Sequence, residues 1–275
     1  MSVKQEANGR RSIQTEFDVP GTPEDVWQAI ATGPGISAWF VPAVFEERDG
    51  TPIAVTYQFG PGAEIRGAVT AWDPPRTYTA EQIEGWGGAP PMATEWSVEA
   101  RAGGLCRVRI VHSLFASTDA WDEQLQGAES GWSGFLAILR IYIANFAGQS
   151  SALTQLRSSA ACTDAEIWAA LLDATGLQGI RVGQHVASPA GVPPFSGIVE
   201  YVTGSPYDAL IRIDEPAPGV LALGVAGMPG GPSMVGVNLY FYDDQAADTL
   251  AREAPVWQAW LHERFPLTAE PDDSV

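Results

Sequence analysis

The chain has 275 residues, 45% of them hydrophobic, and carries 33 acidic against 15 basic side chains, for a formal net charge of −18 at pH 7. This length predicts two domains, each large enough to bury a core without disulfide bonds. The negative charge repels phosphate backbones and anionic lipid surfaces, so we expect no nucleic-acid partner and no membrane partner.

The cysteines and the N-terminal segment predict a cytoplasmic protein. Cys106 and Cys162 belong to no CxxC motif and no Cys/His cluster, so we expect both thiols to be reduced. The start MSVKQEANGRRS lacks the apolar core of a secretory signal. No apolar run approaches the roughly 20 residues that a membrane-spanning helix needs.

The first predicted helix begins at Thr22, in the stretch TPEDVWQAI, and the stretch TDAEIWAAL beginning at Thr163 nearly repeats it. In each copy a threonine can cap the helix, and an acidic residue three positions later, Asp25 or Glu166, can complete a capping box. A tryptophan follows in both copies. The repeat predicts that one architecture is written twice along the chain.

Strand-length runs separated by glycine and proline follow each predicted helix. In the first half they are TPIAVTYQFG, AEIRGAVTAWDPP, RTYTAEQIEGW, ATEWSVEARAGG and LCRVRIVHSLFAS. In the second half they are FSGIVEYVTG, DALIRIDEP, GVLALGVAGM and SMVGVNLYFYDD. The alternation in CRVRIVH predicts that Cys106, Val108, Ile110 and His112 share one face of a strand.

Each half then closes with an amphipathic helix. The first is predicted in SGWSGFLAILRIYIANF and the second in QAADTLAREAPVWQAWLHERF, where we expect Pro255 to kink or restart the helix. The polar segment GQSSALTQLRSSAA lies between the halves and is interpreted as a linker. The pattern predicts an α+β fold with a domain over residues 10–149, a linker over 150–162 and a second domain over 163–268.

Five segments run in order from about residue 12 to residue 147: TPEDVWQAIATGPGISAWFVP, TAWDPPRTYTAEQ, ATEWSVEA, CRVRIVHSLFAS and WDEQLQGAESGWSGFLAILRIYIANF. With them the first half resembles the START-like, helix-grip superfamily (SRPBCC), in the branch named for the activator of the heat-shock protein 90 ATPase. The second half is similar only in its helix start, strand order and closing helix. It lacks the AWF and ESGW segments, so it is interpreted as a degenerate second copy.

The resemblance implies two tandem helix-grip domains, each a curved antiparallel sheet wrapped around a long C-terminal helix. It also implies a cavity between sheet and helix, which members of the superfamily use for lipids, polyketides and other apolar molecules. The alternative for the aromatic residues is that they form an ordinary packed core. The residues that we expect to line the cavity are Trp39, Phe40, Tyr57, Phe59, Trp72, Trp96, His112, Phe115, Trp132, Phe135, Leu136 and Leu139.

His112 is the polar residue of greatest interest in this set. A neutral imidazole offers one donor and one acceptor, so His112 could orient a carbonyl or hydroxyl group of a ligand. The alternative is a core histidine satisfied by the backbone. The sequence has no GxSxG, HExxH or P-loop motif, and the histidines match no metal-ligand spacing. We therefore predict no catalytic residue, no metal and no cofactor.

Three functions remain open. The first is a non-enzymatic binding protein that holds a small apolar molecule in the first domain. Its second domain would be a structural or dimer-forming partner, the latter in a homodimer. The second is an enzyme of the polyketide cyclase or aromatase type, with His112 and either Tyr57 or Glu95 transferring protons. The third is a protein-interaction module of the co-chaperone kind, which predicts exposed tryptophans and a filled interior.

Overall fold

The computed structural model describes residues 3–5, 10–60, 62–85, 90–114, 121–160, 162–204, 207–227 and 233–266, without the side chains of 122–131. The chain divides into two compact units, Met1–Gly148 and Gln149–Val275. Among the described residues, no helix is both long enough and apolar enough to cross a membrane.

The described residues of the first unit form one antiparallel sheet with three helices. Its elements are β1 Lys4–Gln5, β2 Arg11–Pro20, α1 Pro23–Ile30, α2 Gly33–Ser37, β3 Ala43–Arg48, β4 Thr51–Gln58, β5 Glu64–Asp73, β6 Thr77–Gln82, β7 Met92–Arg101, β8 Leu105–Leu114 and α3 Asp122–Asn145. The strand order is β1-β2-β8-β7-β6-β5-β4-β3, with antiparallel neighbours throughout. Strands β4 to β8 confirm the five predicted runs, whereas β2 and β3 were not predicted.

The start of α1 is built as its sequence predicts. The Thr22 hydroxyl accepts a hydrogen bond from the backbone N–H of Asp25, and the Asp25 carboxylate accepts one from the Thr22 backbone N–H. Gly35 in α2 has to be a glycine, because a Cβ there would overlap the carbonyl oxygen of Gln28. This close approach of α2 to α1 brings the following residues, Trp39 and Phe40, into the interior.

The second unit repeats this plan with one sheet of six strands. Its elements are β9 Ser151–Ala160, α4 Asp164–Ala174, β10 His185–Ala187, β11 Ser196–Gly204, β12 Tyr207–Glu215, β13 Gly219–Gly227, β14 Ser233–Tyr242 and α5 Ala246–Arg264. The strand order is β10-β11-β12-β13-β14-β9, again antiparallel. In both units the first long strand lies beside the last strand, and a long helix closes the unit. The predicted α+β fold, written twice, is confirmed.

The prediction of a linker over residues 150–162 was wrong. Residues 151–160 form β9, which pairs with β14 along its whole length. The segment is rich in small polar residues because they fit under α5, where the buried Ser158 hydroxyl donates a hydrogen bond to the carbonyl oxygen of Phe265. Helix α5 also continues through Pro255 as one helix instead of restarting there.

Candidate functional site

A cavity of about 80 Å³, partly open to solvent, lies in the first unit between strands β4 to β8 and helix α3. Its volume is several times the roughly 10–15 Å³ that a single water molecule requires. The residues that line it are Phe40, Tyr57, Phe59, Ile65, Gly67, Ala80, Gln82, Met92, Thr94, Trp96, His112 and Trp132.

The space exists because small side chains face large ones across it. Gly67 of β5 and Ala80 of β6 line the cavity on the side of the sheet. Because Gly67 has no side chain and Ala80 has only a methyl group, they leave space between the strands and α3. On β7, Met92, Thr94 and Trp96 alternate onto the same face of the strand. Apolar surface with a few polar groups is the usual character of a small-molecule site.

Stacked aromatic rings form the wall opposite the strands. The indole of Trp132 stacks on Phe40, with ring centroids 4.9 Å apart, and on the imidazole of His112, at 5.5 Å and an interplanar angle of 22°. Trp96 meets Trp132 edge to face at 5.4 Å. Trp39 lies behind this wall, where its Nε1 donates a hydrogen bond to the carbonyl oxygen of Ala29 at 2.9 Å.

His112 is the most deeply buried polar residue of the cavity, with 3% of its surface exposed. Its Nδ1 lies 3.0 Å from the hydroxyl oxygen of Thr94, and its Nε2 has no hydrogen-bond partner among the described residues. Burial lowers the pKa of His112 from 6.5 to about 4, so the imidazole is neutral at pH 7. The alternative of a histidine satisfied by the backbone does not match this arrangement.

Two further candidates for proton transfer are poorly suited to it. The phenol of Tyr57 interacts with the phenol of Tyr78, whose hydroxyl donates to the carbonyl oxygen of Ile30 at 2.8 Å. Burial also raises the pKa of Tyr57 to about 12. Glu95 does not line the cavity and forms an ion pair with Arg109 at 3.5 Å.

Six of the predicted cavity residues line the space that the structure shows: Phe40, Tyr57, Phe59, Trp96, His112 and Trp132. Four others do not line it. Trp39, Leu136 and Leu139 are buried in the core, and Phe135 packs edge to face on Phe40 at 4.7 Å. Phe115 lies outside the described residues.

The prediction that Trp72 lines the cavity was wrong. Trp72 pairs with Tyr78 across the β5–β6 ladder and therefore lies on the cavity side of the sheet, but farther along the strand. There it packs under α1, with its ring centroid 5.0 Å from that of Trp27 and 5.6 Å from that of Tyr78. The sequence shows which face a residue occupies but not its position along the sheet relative to the helices.

The sequence analysis did not identify six lining residues: Ile65, Gly67, Ala80, Gln82, Met92 and Thr94. Met92 could have been found, since it continues the alternation of Thr94 and Trp96 on β7. Gln82 joins β6 to β7, where its Oε1 accepts a hydrogen bond from the Met92 backbone at 3.1 Å. Gly67 and Ala80 contribute by being small, and a search for aromatic residues overlooks them.

Residues 10–138 match the family model described as "Polyketide cyclase / dehydrase and lipid transport". The match confirms that the first unit is a helix-grip domain of the SRPBCC superfamily. Because the second unit repeats its strand order and closing helix, the chain is a tandem of two domains with the helix-grip fold. The assignment to the heat-shock branch stays a prediction. Among curated proteins, none matches this chain.

Several solved structures are similar to parts or most of the chain. CalU16 from Micromonospora echinospora is 20% identical, with 52% of this chain and 83% of that chain covered and a TM-score of 0.41. The di-domain ARO/CYC BexL from the BE-7585A biosynthetic pathway is 11% identical over 95% of this chain and 100% of that chain, with a TM-score of 0.45. The Aha1 dimer from Colwellia psychrerythraea is 19% identical over 48% and 95%, with a TM-score of 0.37.

Proposed function

We propose that the first unit binds a small, mainly apolar molecule in the cavity and that His112 makes the principal polar contact with it. One observation carries this proposal: the Nε2 atom of a buried histidine, on the wall of an aromatic cavity, has no partner among the described residues. Leaving such a group unsatisfied costs about 1–3 kcal/mol, which a ligand oxygen would offset.

Two other buried polar atoms in the described part of the chain lack hydrogen-bond partners, but they differ from Nε2 of His112 in their position. The Tyr240 hydroxyl and the Trp260 Nε1 also lack a hydrogen-bond partner among the described residues, but neither residue lines the cavity. Of these three residues, His112 alone combines an unpartnered polar atom with a place on the lining of the cavity. The family description, which names lipid transport beside polyketide cyclase and dehydrase, supports a ligand of this apolar kind.

Enzymatic cyclisation is the second candidate, favoured by the same family description and by the position of His112 in the cavity. The proton-transfer partners weaken it. Tyr57 has a pKa raised to about 12, Glu95 is paired with Arg109, and a histidine with a pKa of about 4 is a weak base at pH 7. Binding without chemistry therefore fits the geometry better.

A protein-interaction role is not favoured, because it requires tryptophans on an outer face. Nine of the ten tryptophans are described, and each is buried or half-buried; Trp86 lies outside the described residues. We assign the second unit a structural or dimer-forming role, since the cavity is lined by residues of the first unit alone. Its aromatic residues Trp257 and Trp260 pack in the core.

The first test is native mass spectrometry of freshly purified protein, followed by solvent extraction of any bound molecule. A stoichiometric apolar adduct would support the proposal, and the same spectrum would show whether the protein is a homodimer. The second test is titration with Nile red, a neutral dye whose fluorescence rises in apolar sites; it is larger than the enclosed space, so only one end of it enters through the open side. We expect saturable binding with one site per chain.

Two variants make the dye experiment specific to the cavity. Ala80→Leu places a larger side chain in the space and should abolish dye binding, while Trp72→Leu removes aromatic surface on the same sheet face outside the cavity and should preserve it. Overpacking by the larger side chain of Ala80→Leu costs about 1–3 kcal/mol of folding stability. Circular dichroism therefore verifies that both variants are folded. Equal dye binding by both variants, or none by the wild type, would refute the proposed site.

A further inference from the structure

The cavity contains no cationic side chain among the described residues that line it. Its two ionisable groups, the His112 imidazole and the Tyr57 phenol, are both neutral at pH 7, because burial lowers the pKa of the first to about 4 and raises the pKa of the second to about 12. A carboxylate entering this space would leave water without meeting a positive charge. Such a transfer is strongly unfavourable unless the ion is paired.

The bond between Thr94 and His112 determines which kind of polar group Nε2 can meet. The neutral imidazole carries one proton, on Nδ1 or on Nε2. If Nδ1 carried it, the imidazole would donate to Thr94, and the Thr94 hydroxyl proton and the Nε2 lone pair would both lack partners. If the Thr94 hydroxyl donates to Nδ1, a single hydrogen bond at 3.0 Å satisfies both groups and leaves Nε2–H as a donor. The second arrangement leaves fewer unsatisfied groups and is the more stable one.

We infer that the molecule held in the cavity is uncharged and presents a hydrogen-bond acceptor to Nε2 of His112, as a ketone, ester or amide carbonyl on an apolar frame does. This inference rests on the proposed binding function and specifies its ligand class. It also states what the site rejects, namely molecules such as fatty acids that carry a carboxylate at pH 7.

The orientation of the rings favours a flat ligand. An acceptor approaches Nε2–H close to the plane of the imidazole. That plane lies within 22° of the plane of the Trp132 indole, and Phe40 stacks on the same indole at 28°. A planar conjugated carbonyl compound that bonds to Nε2 can therefore lie nearly parallel to Trp132, while Trp96 stands nearly perpendicular to that indole.

The test uses three naphthalenes of similar shape at pH 7: 2-ethylnaphthalene, which has no polar group, 2-acetylnaphthalene, which has a neutral carbonyl, and 2-naphthoate, which is an anion. Their affinities are measured by displacement of Nile red. We expect the ketone to bind about tenfold more tightly than the hydrocarbon, because its carbonyl oxygen adds one hydrogen bond to Nε2. The anion should bind about a hundredfold or more weaker than the ketone.

Two variants assign the effect to Nε2. In His112→Leu the ketone should lose its advantage and bind like the hydrocarbon. Thr94→Val keeps the shape of the residue but removes the hydroxyl that fixes the imidazole proton, so it should reduce the ratio of ketone to hydrocarbon affinity. The second variant and the wild-type series keep the test valid if His112→Leu does not fold.

The outcomes separate the inference from the proposed function. If 2-ethylnaphthalene binds but 2-acetylnaphthalene has no advantage, or if 2-naphthoate binds as well as the ketone, the cavity is a ligand site and the inference is wrong. If Nile red and all three naphthalenes fail to bind, the proposed function fails and the inference fails with it. A ketone advantage that both variants diminish supports the inference.

Discussion

The hydroxyl of Tyr78 donates a hydrogen bond to the carbonyl oxygen of Ile30 at 2.8 Å and so ties strand β6 to the last turn of α1. Both residues are fully buried, with 0% of their surface exposed. The carbonyl groups in the last turn of a helix have no partner within the helix, so a side chain from the sheet supplies one here. The same phenol interacts with that of Tyr57, which lines the cavity.

Tyr78→Phe should destabilise the protein by about 1–3 kcal/mol, because it leaves the buried Ile30 carbonyl oxygen without its hydrogen-bond donor. Tyr57→Phe is the matched control, since it keeps the bond to Ile30 and should cost less. Urea denaturation followed by circular dichroism measures both losses. Equal stability of the Tyr78→Phe variant and the wild type would contradict the assigned bond.

The stability of the protein should fall as the pH drops from 7 to 5, and His112 should account for part of the fall. In the unfolded chain the imidazole takes up a proton near pH 6.5, whereas burial keeps it neutral in the folded state down to about pH 4. The unfolded state thus binds more protons in this window, so stability is full above pH 6.5 and is lost toward pH 4.

A comparison with His112→Gln isolates this contribution. Between pH 7 and pH 5 the wild type should lose about 2 kcal/mol more than the variant, from the difference in proton uptake. Urea denaturation at both pH values measures the loss, and nuclear magnetic resonance of the imidazole measures the pKa directly. Identical pH dependence in the two proteins, or a His112 resonance that titrates near pH 6.5, would show that the imidazole is not buried in this way.

Asp208 in the second unit should be destabilising at neutral pH. Burial raises the pKa of its carboxyl from 3.8 to about 6, and its Oδ1 lies over Gly224, only 2.9 Å from where a Cβ of that residue would be. Because the folded-state pKa is raised, the folded state binds the proton more tightly, and stability is lost as the pH rises through about 6.

Asp208→Asn should therefore stabilise the protein by about 2 kcal/mol at pH 7 and have little effect near pH 4. Asp214→Asn is the control, since Asp214 is an exposed residue on the same strand and its replacement should change stability by less than about 0.5 kcal/mol. Thermal or urea unfolding of the three proteins at the two pH values measures the difference. A destabilised Asp208→Asn variant at pH 7 would contradict the prediction.

The two capping boxes should contribute similarly although they lie in different units. Thr22→Ala and Thr163→Ala each remove the hydroxyl that accepts the backbone N–H of the residue three positions later, at a cost of about 1 kcal/mol. Thr→Ser at each position keeps an oxygen there and should restore most of the stability. Urea denaturation of the four variants gives the values, and alanine variants as stable as the serine variants would show that the caps do not contribute.

The acidic residues of the two capping boxes make the folding stability depend on pH. Hydrogen bonds from the Thr22 backbone and side chain lower the pKa of Asp25, and those from the Thr163 side chain and backbone lower the pKa of Glu166. Their contribution is therefore present above the ordinary carboxyl pKa and is lost in more acidic solution. Thr22→Ala should raise the pKa of Asp25 toward 3.8, as measured by nuclear magnetic resonance.

Local patterns predicted the elements well where each signal lies within one segment. Alternation placed Cys106, Val108, Ile110 and His112 on the inner face of β8, and all four are buried. The stripe of α3 likewise predicted a buried face. The same reasoning failed for β9, because a short polar strand is recognised by its pairing with β14, which lies more than 70 residues later in the chain.

By itself, the sequence determined that one α+β plan occurs twice, where each copy begins its first helix, and that the first copy has the helix-grip fold. These features follow from caps, periodicity and segment order, which are local properties. Only the tertiary structure decided that Trp132, Trp96 and His112 surround a space while Trp72 packs under α1. Whether a space remains depends on how side chains from distant segments fill the volume between sheet and helices, and no single segment encodes that volume.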